Sequence, residues 1–164
     1  MADQTPTIIG VGFDTEGGRP DLSDWDPILG RLEDTGASFA ELSLYHADLI
    51  AGGRVIAERR RALERLCARH ALKYTVHGAL TVNFMDEAHL ELHKSVCRAM
   101  LELCDAVGAS VMVQHPGKVP VAPAPVLDRL HATQRDALRE MGDVAGRYGV
   151  RIAVENSAVS PSWS

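Results

Sequence analysis

The sequence lacks several features that would assign it quickly to a class of protein. It contains no run of about 18 apolar residues, so it has no predicted membrane-spanning helix. Its first residues show no basic region followed by an apolar stretch, so no secretory signal is expected. The three cysteines form no CxxC pair, which indicates reduced thiols rather than a disulfide framework. Together these absences predict a cytoplasmic protein.

Several catalytic and binding motifs are also absent. There is no phosphate-binding GxGxxG turn or P-loop for a nucleotide, and no GxSxG elbow for a serine hydrolase. His89 and His93 have a spacing that can bind zinc, but the residues between them do not give the HExxH pattern of metalloproteases. We interpret this pair as part of a solvated helix face.

What the chain does contain is enough apolar material for one core. It has 164 residues, of which 46% are hydrophobic, and we treat residues 1–164 as a single domain. The net charge is -5, which does not suit a general polyanion binder. We therefore expect the partner to be a small molecule rather than a nucleic acid.

Short β-rich runs alternate with long amphipathic helical patterns, which is typical of βαβ units on a parallel sheet. Four helices are predicted between five strands, which are 7–13, 38–44, 72–77, 110–115 and 150–155. A complete (βα)8 barrel needs about 250 residues, so these elements could form part of one. An open sheet of the flavodoxin type is the alternative, although the first strand lacks the phosphate-binding turn.

Three successive predicted strands end in residues that bind metals, namely His77, His115 and Glu155. The carboxyl ends of parallel strands meet at one edge, where active sites of α/β proteins lie. Because side chains alternate across a strand, the apolar pattern permits all three residues to share one face. Two imidazoles and a carboxylate suit Zn, Mn, Fe or Co more than Ca or Mg.

Four segments in this order resemble motifs of the xylose isomerase-like TIM barrel superfamily. That superfamily contains sugar-phosphate isomerases and epimerases and endonuclease IV. The segments follow the second to fifth strands, and they are Gly36-Ala-Ser-Phe-Ala-Glu-Leu42, Thr75-Val-His-Gly78 with Asn83, Val113-Gln-His-Pro-Gly117 and Ile152-Ala-Val-Glu-Asn156. The resemblance covers nearly the whole chain but only the N-terminal part of the barrel. It implies an incomplete α/β (βα)8 barrel with about five strands and four helices.

The resemblance also implies roles for particular residues. Glu155 would be a metal ligand and the acid–base carboxylate, and His77 and His115 would be ligands or substrate contacts. Contacts to substrate are expected from four further residues, Glu41, His46, Asn83 and Asn156. The cofactor would be a divalent metal such as Mn, Zn, Co or Mg. The remaining ligands of the family would come from strands six to eight, which this chain does not contain.

Three functions follow as hypotheses. The first is a metal-dependent sugar or sugar-phosphate isomerase or epimerase, in which a carboxylate moves a proton between neighbouring carbons. The second is an endonuclease IV type phosphodiesterase, which the predicted mouth loops disfavour because 78–85 contains no Lys or Arg and 116–125 only Lys118, with Arg19 as an exception. The third is a non-catalytic fragment that associates through its open edge, for example as a homo-oligomer. We expect the chain to be truncated and to have little activity alone.

Overall fold

Five parallel strands form one sheet in the computed structural model, which describes residues 12–14, 18–119 and 121–155. A separate two-stranded hairpin lies between the second and third of them. In chain order the strands are β1 (Gly12–Asp14), β2 (Phe39–Leu42), β3 (Ile50–Ala51), β4 (Arg54–Val55), β5 (Lys73–His77), β6 (Val111–Gln114) and β7 (Arg151–Val154). The five predicted strands are thus present. The first prediction began at Thr7, outside the described residues.

The order of strands in the sheet distinguishes between the two predicted architectures. The order is β1-β2-β5-β6-β7, and every neighbouring pair is parallel. The sheet therefore follows the order of the chain, whereas a flavodoxin-type sheet reverses direction after its first crossover. Because crossovers between parallel strands are right-handed, a sheet built in one direction places all its helices on one side. A sheet in chain order with all its helices on one side is the arrangement found in (βα)8 barrels.

Four helices connect the parallel strands. They are α1 (Trp25–Asp34), α2 (Ala57–Cys67), α3 (Leu90–Ala106) and α4 (Ala124–Arg147). A short 3-10 turn precedes α3, and the carboxylate of Asp86 caps it by accepting hydrogen bonds from two of its backbone amides. No helix within the described ranges is both long and apolar enough to cross a membrane.

The hydrophobic core lies between the helices and one face of the sheet, which we call the outer face. Alternate strand residues on this face are almost fully buried, among them Ala40, Leu42, Val76 and Met112. They pack in one cluster with apolar residues from each helix, including Leu29, Leu63, Met100 and Met141. The alternation required by the strand period therefore determines which side chains enter the core.

The opposite, inner face of the sheet is only partly covered. Its residues are the other members of the alternation, and among the described ones none is fully buried: Phe39, Glu41, Thr75, His77, Val111 and Val113 are half-buried. In a closed barrel this face fills the interior. In this chain it forms an open concave surface, at whose carboxyl end the metal-ligand residues were predicted.

The hairpin of β3 and β4 was not predicted. Its turn is formed by Gly52 and Gly53, which have φ values of +56° and +75°. Positive φ at both central residues defines the turn that best matches the twist of a two-stranded hairpin. The Gly-Gly pair between short apolar runs could therefore have predicted the hairpin.

The three cysteines lie within the core. Cys67, Cys97 and Cys104 are buried and free. Burial raises the pKa of each thiol to about 12. None is therefore a thiolate near neutral pH, which excludes them as nucleophiles there.

Candidate metal centre

The three predicted ligand residues lie side by side at the carboxyl edge of the sheet. His77 is the last residue of β5, while His115 and Glu155 come directly after β6 and β7. The ladder continues past these strands, since the Glu155 amide donates to the Gln114 carbonyl at 2.9 Å. Backbone pairing of neighbouring strands thus fixes the positions from which the side chains converge.

Gly78 allows strands β5 and β6 to stay close at this edge. Its amide donates to the carbonyl oxygen of Val113 at 2.7 Å. A Cβ atom at Gly78 would lie 2.6 Å from that same oxygen, which is closer than real Cβ atoms approach. A larger residue would push the strands apart directly beside His77.

The ligand atoms of the three side chains point at a common space. The Nε2 atoms of His77 and His115 are 2.6 Å apart, and Nε2 of His115 is 3.1 Å from Oε2 of Glu155. One ligand atom from each residue lies within 4.8 Å of the others. Side chains from three separate strands therefore form one cluster.

Glu41 orients one of these imidazoles. Its Oε1 atom lies 2.7 Å from Nδ1 of His77. A carboxylate accepts a hydrogen bond here, so Nδ1 of His77 carries a proton, and Nε2 of the same ring faces His115 in the cluster. A carboxylate behind the distal nitrogen is the usual arrangement around metal-bound histidines. The carboxylate therefore acts on the cluster through His77.

Two observations test whether a metal fits. Oε2 of Glu155 is buried and accepts no hydrogen bond from the described residues, since its contact with His115 lacks hydrogen-bond geometry. In a tetrahedral site with metal–nitrogen bonds of about 2.0–2.1 Å, two nitrogens lie about 3.3 Å apart. The rings of His77 and His115 would need to separate by only about 0.7 Å to reach that distance. The donor set therefore fits a divalent transition metal.

An aromatic residue that the sequence did not single out lies beside the cluster. The ring of Tyr45 contacts His77 edge-on, with ring centroids 5.6 Å apart. His46 is exposed and stacks at a tilt on Tyr45, with centroids 4.1 Å apart, rather than joining the ligand atoms. The sequence predicted that His46 would lie at the mouth of the site. In the structure its neighbour Tyr45 contacts His77 instead. An aromatic residue directly after a strand end was the available signal.

Asn83 connects two loops at the mouth. Its side chain accepts from the backbone amides of Met85 and Lys118 at 3.0 and 3.2 Å, and donates to the Lys118 carbonyl at 2.7 Å. This bonding positions the loops after β5 and β6 relative to each other. Its predicted contact with substrate stays a prediction, as does that of Asn156, which lies outside the described residues.

The histidines on the third helix form a different arrangement. Asp86 Oδ2 lies 2.9 Å from Nδ1 of His89 and 3.3 Å from Nε2 of His93. The same carboxylate caps the helix, and hydrogen bonding to both histidines lowers its pKa. His89 is exposed and His93 is not, so this pair is more than a solvated face.

Comparison with known families identifies the type of barrel. The family model described as "Xylose isomerase-like TIM barrel" matches residues 29–162. Comparison with curated proteins gives no match. The matched range contains β2 to β7 and all three ligand residues.

Solved structures agree with this match. A D-tagatose 3-epimerase-like protein has a TM-score of 0.68 at 16% identity, and the alignment covers 91% of this chain and 54% of that one. The D-allulose 3-epimerase of Methylomonas sp., solved with D-allulose, gives 0.67 at 14%, covering 91% and 51%. The IOLI protein with a bound zinc atom gives 0.65 at 21%, covering 89% and 51%. The chain thus spans about half the length of these proteins, and the predicted incomplete barrel is confirmed.

Proposed function

Because the chain belongs to the xylose isomerase-like TIM barrel family, we propose that it provides half of a metal-dependent site that isomerises or epimerises a sugar. The observation that carries the proposal is the convergence of His77, His115 and Glu155 at the carboxyl edge of the sheet. Epimerases among the solved relatives make a sugar the favoured substrate class.

We assign His77, His115 and Glu155 as the residues that hold the ion. When bound, the metal would supply Lewis-acid polarisation of a carbonyl or hydroxyl oxygen. The lone pair of His77 is directed by Glu41, so the imidazole binds without first losing a proton. The zinc atom in the IOLI relative supports zinc as one candidate, and the donor set equally suits Mn or Co.

Glu155 is also the residue that we assign to proton transfer. Its carboxylate would take the proton from the carbon beside the carbonyl and return it to the neighbouring carbon or the other face. A second acid–base group would have to come from outside the described residues. For that reason we expect the 164-residue chain to have little activity alone.

The endonuclease-type function is not proposed. An enzyme that holds DNA neutralises phosphates with basic side chains. The mouth loops at 78–85 and 116–125 contain Lys118 as their only Lys or Arg. The loop surface therefore offers little to a polyanion.

The first test is metal content measured by elemental analysis of purified protein. We expect close to one Zn, Mn or Co per chain in the wild type and a large loss in the His115→Ala, Glu155→Ala double variant. His131→Ala is the matched control, because this exposed histidine lies on α4 away from the cluster. Equal metal in all three proteins would refute the site, and no metal in any would favour the non-catalytic fragment.

A second measurement addresses the reaction. Metal-loaded protein is incubated with D-fructose or D-allulose in deuterated water, and NMR follows deuterium incorporation at carbon. Slow exchange that depends on Glu155 is expected from an incomplete site. Turnover at an ordinary enzymatic rate would contradict the proposed incompleteness, while exchange unaffected by Glu155→Gln would contradict its assigned role.

A further inference from the structure

A cavity of about 430 Å³ opens beside the metal centre. It lies between the first turns of α3, the β3–β4 hairpin and the loops after β2 and β5. Tyr45 forms part of its wall and also contacts His77. The cavity is therefore one aromatic ring away from the proposed metal ligands, and its volume falls in the range of small-molecule sites.

The lining of this cavity is mostly apolar. Seven aliphatic side chains contribute to it, and they are Leu44, Ala47, Ile50, Ala79, Val82, Leu92 and Val96. No Lys or Arg is present among the described residues that line it. A phosphate dianion taken from water into such a space would lack a compensating cation, which is strongly unfavourable.

Both nitrogens of the one imidazole in the wall are already engaged within the protein. The backbone amide of Asn83 donates to Nδ1 of His93 at 3.3 Å. Nε2 of the same ring lies 3.3 Å from the Asp86 carboxylate. His93 is therefore paired with a carboxylate and has no ring nitrogen left to contact a phosphate.

The 3-10 turn that leads into the adjacent helix α3 already holds an anionic side chain. A helix N-terminus can bind phosphate through its free amides and its dipole. Here Asp86 already supplies a carboxylate, which accepts hydrogen bonds from the amides of Ala88 and His89. A second anion at this place would be repelled by the first.

The hairpin wall is fixed against α3. A Cβ atom at Gly53 would lie 2.0 Å from Oγ of Ser95, so glycine is required for the hairpin to approach the helix this closely. The cavity is thus a built feature of the fold, since its wall depends on a turn that admits no larger residue.

We propose that this cavity binds an uncharged, apolar group beside the metal centre. This inference rests on the function proposed above. The group is then a deoxy, alkyl or aryl part of a carbonyl-containing polyol, and the substrate is not a sugar phosphate. The carbonyl end faces the ligand residues while the apolar end occupies the space lined by Leu92 and Val96.

The test uses four probes and NMR of isotopically labelled, zinc-loaded protein. The probes are cyclohexylmethanol, which contains no sugar, together with fructose, 6-deoxyfructose and fructose 6-phosphate. We expect cyclohexylmethanol to shift the amide signals of Thr81, Val82 and Val96, and 6-deoxyfructose to bind about tenfold or more tightly than fructose 6-phosphate.

Two variants place the effect in the cavity. Leu92→Lys adds a cation at a half-exposed wall position, and it should weaken binding of cyclohexylmethanol about tenfold. It should also reduce the ratio by which the protein binds 6-deoxyfructose more tightly than fructose 6-phosphate. Val121→Lys makes the same kind of change at a fully exposed position outside the cavity and should change neither.

The outcomes separate this inference from the proposed function. If fructose 6-phosphate binds more tightly than 6-deoxyfructose in the wild type, the apolar site is refuted even where ketose exchange is observed. If cyclohexylmethanol shifts no cavity signals, it is refuted as well. If cyclohexylmethanol binds in the cavity but no ketose exchanges or binds, the apolar site stands and the isomerase function falls.

Discussion

The two faces of the sheet are made by the same strands, yet they differ in how completely their side chains are buried. On the outer face Leu42, Val76 and Met112 are inaccessible to solvent and pack against helices. On the inner face their sequence neighbours Glu41, His77 and Val113 are half-buried. The difference shows that the helices of this chain cover most of the outer face, although Val154 at the β7 edge is exposed, while the inner face is less completely covered.

The chemistry follows the same division. The outer face holds the core and three inert thiols, while the inner face carries the carboxylates and imidazoles that converge at its edge. A buried ionisable group is tolerated where a partner or an ion compensates its charge. Oε2 of Glu155 is the buried polar atom on the inner face that lacks a hydrogen-bond partner among the described residues.

The largest expected difference between the faces is in stability. Val76→Ala on the outer face should lower the free energy of unfolding by about 2–3 kcal/mol, because two methyl groups are lost from a close-packed core. Val113→Ala, the same change on the inner face, should cost less than about 1 kcal/mol. Urea titration of the two variants measures both values, and equal losses would mean that the inner face is packed in solution.

A smaller effect is expected at the metal centre. Glu41→Gln replaces the carboxylate behind His77 by a neutral acceptor, which should weaken metal affinity about 10–100-fold. Calorimetric titration with zinc measures the change. The control is Glu102→Gln, which removes a carboxylate paired with Arg60 on the helical side. Equal affinities for both variants and wild type would mean that Glu41 does not support the site.

Much of this comparison could be read from the sequence because both faces obey the strand period. Alternation alone permitted His77, His115 and Glu155 to share one face, and their ligand atoms lie together in the structure. Directly consecutive strands also made neighbours of His77 and His115. These are local patterns whose consequences are fixed by backbone geometry.

Other features depend on contacts between distant segments and could not be read in this way. The side chain of Asn83 was predicted to contact substrate, which stays a prediction, but its bonds to Met85 and Lys118 in two loops were not predicted. The cavity beside Tyr45 exists because a hairpin packs on a helix about 40 residues later in the chain. Sequence spacing contains no information on that approach.

The smallest expected effect lies on the helical side, at an ion-pair cluster far from the metal centre. His70 is almost buried between two carboxylates of α1, with Nδ1 2.6 Å from Glu33 and Nε2 3.1 Å from Asp26. The hydrogen bond from His70, followed by one from the Ala71 amide, lowers the pKa of Glu33. Hydrogen bonding to Arg69 and then to His70 lowers that of Asp26.

A lowered carboxyl pKa in the folded state gives stability that is present above the unfolded value and is lost as pH falls through the folded one. At pH 6 the urea midpoint of the wild type should therefore be higher than that of Glu33→Gln. The difference between the two midpoints should shrink as pH falls from about 5 to about 3, because Glu33 becomes protonated in this range. Asp34→Asn removes an exposed carboxylate from the same helix and serves as the control. Urea midpoints measured across this range decide the matter: a difference between wild type and Glu33→Gln that stays constant with pH would mean that the cluster stabilises the helical side by packing rather than by charge.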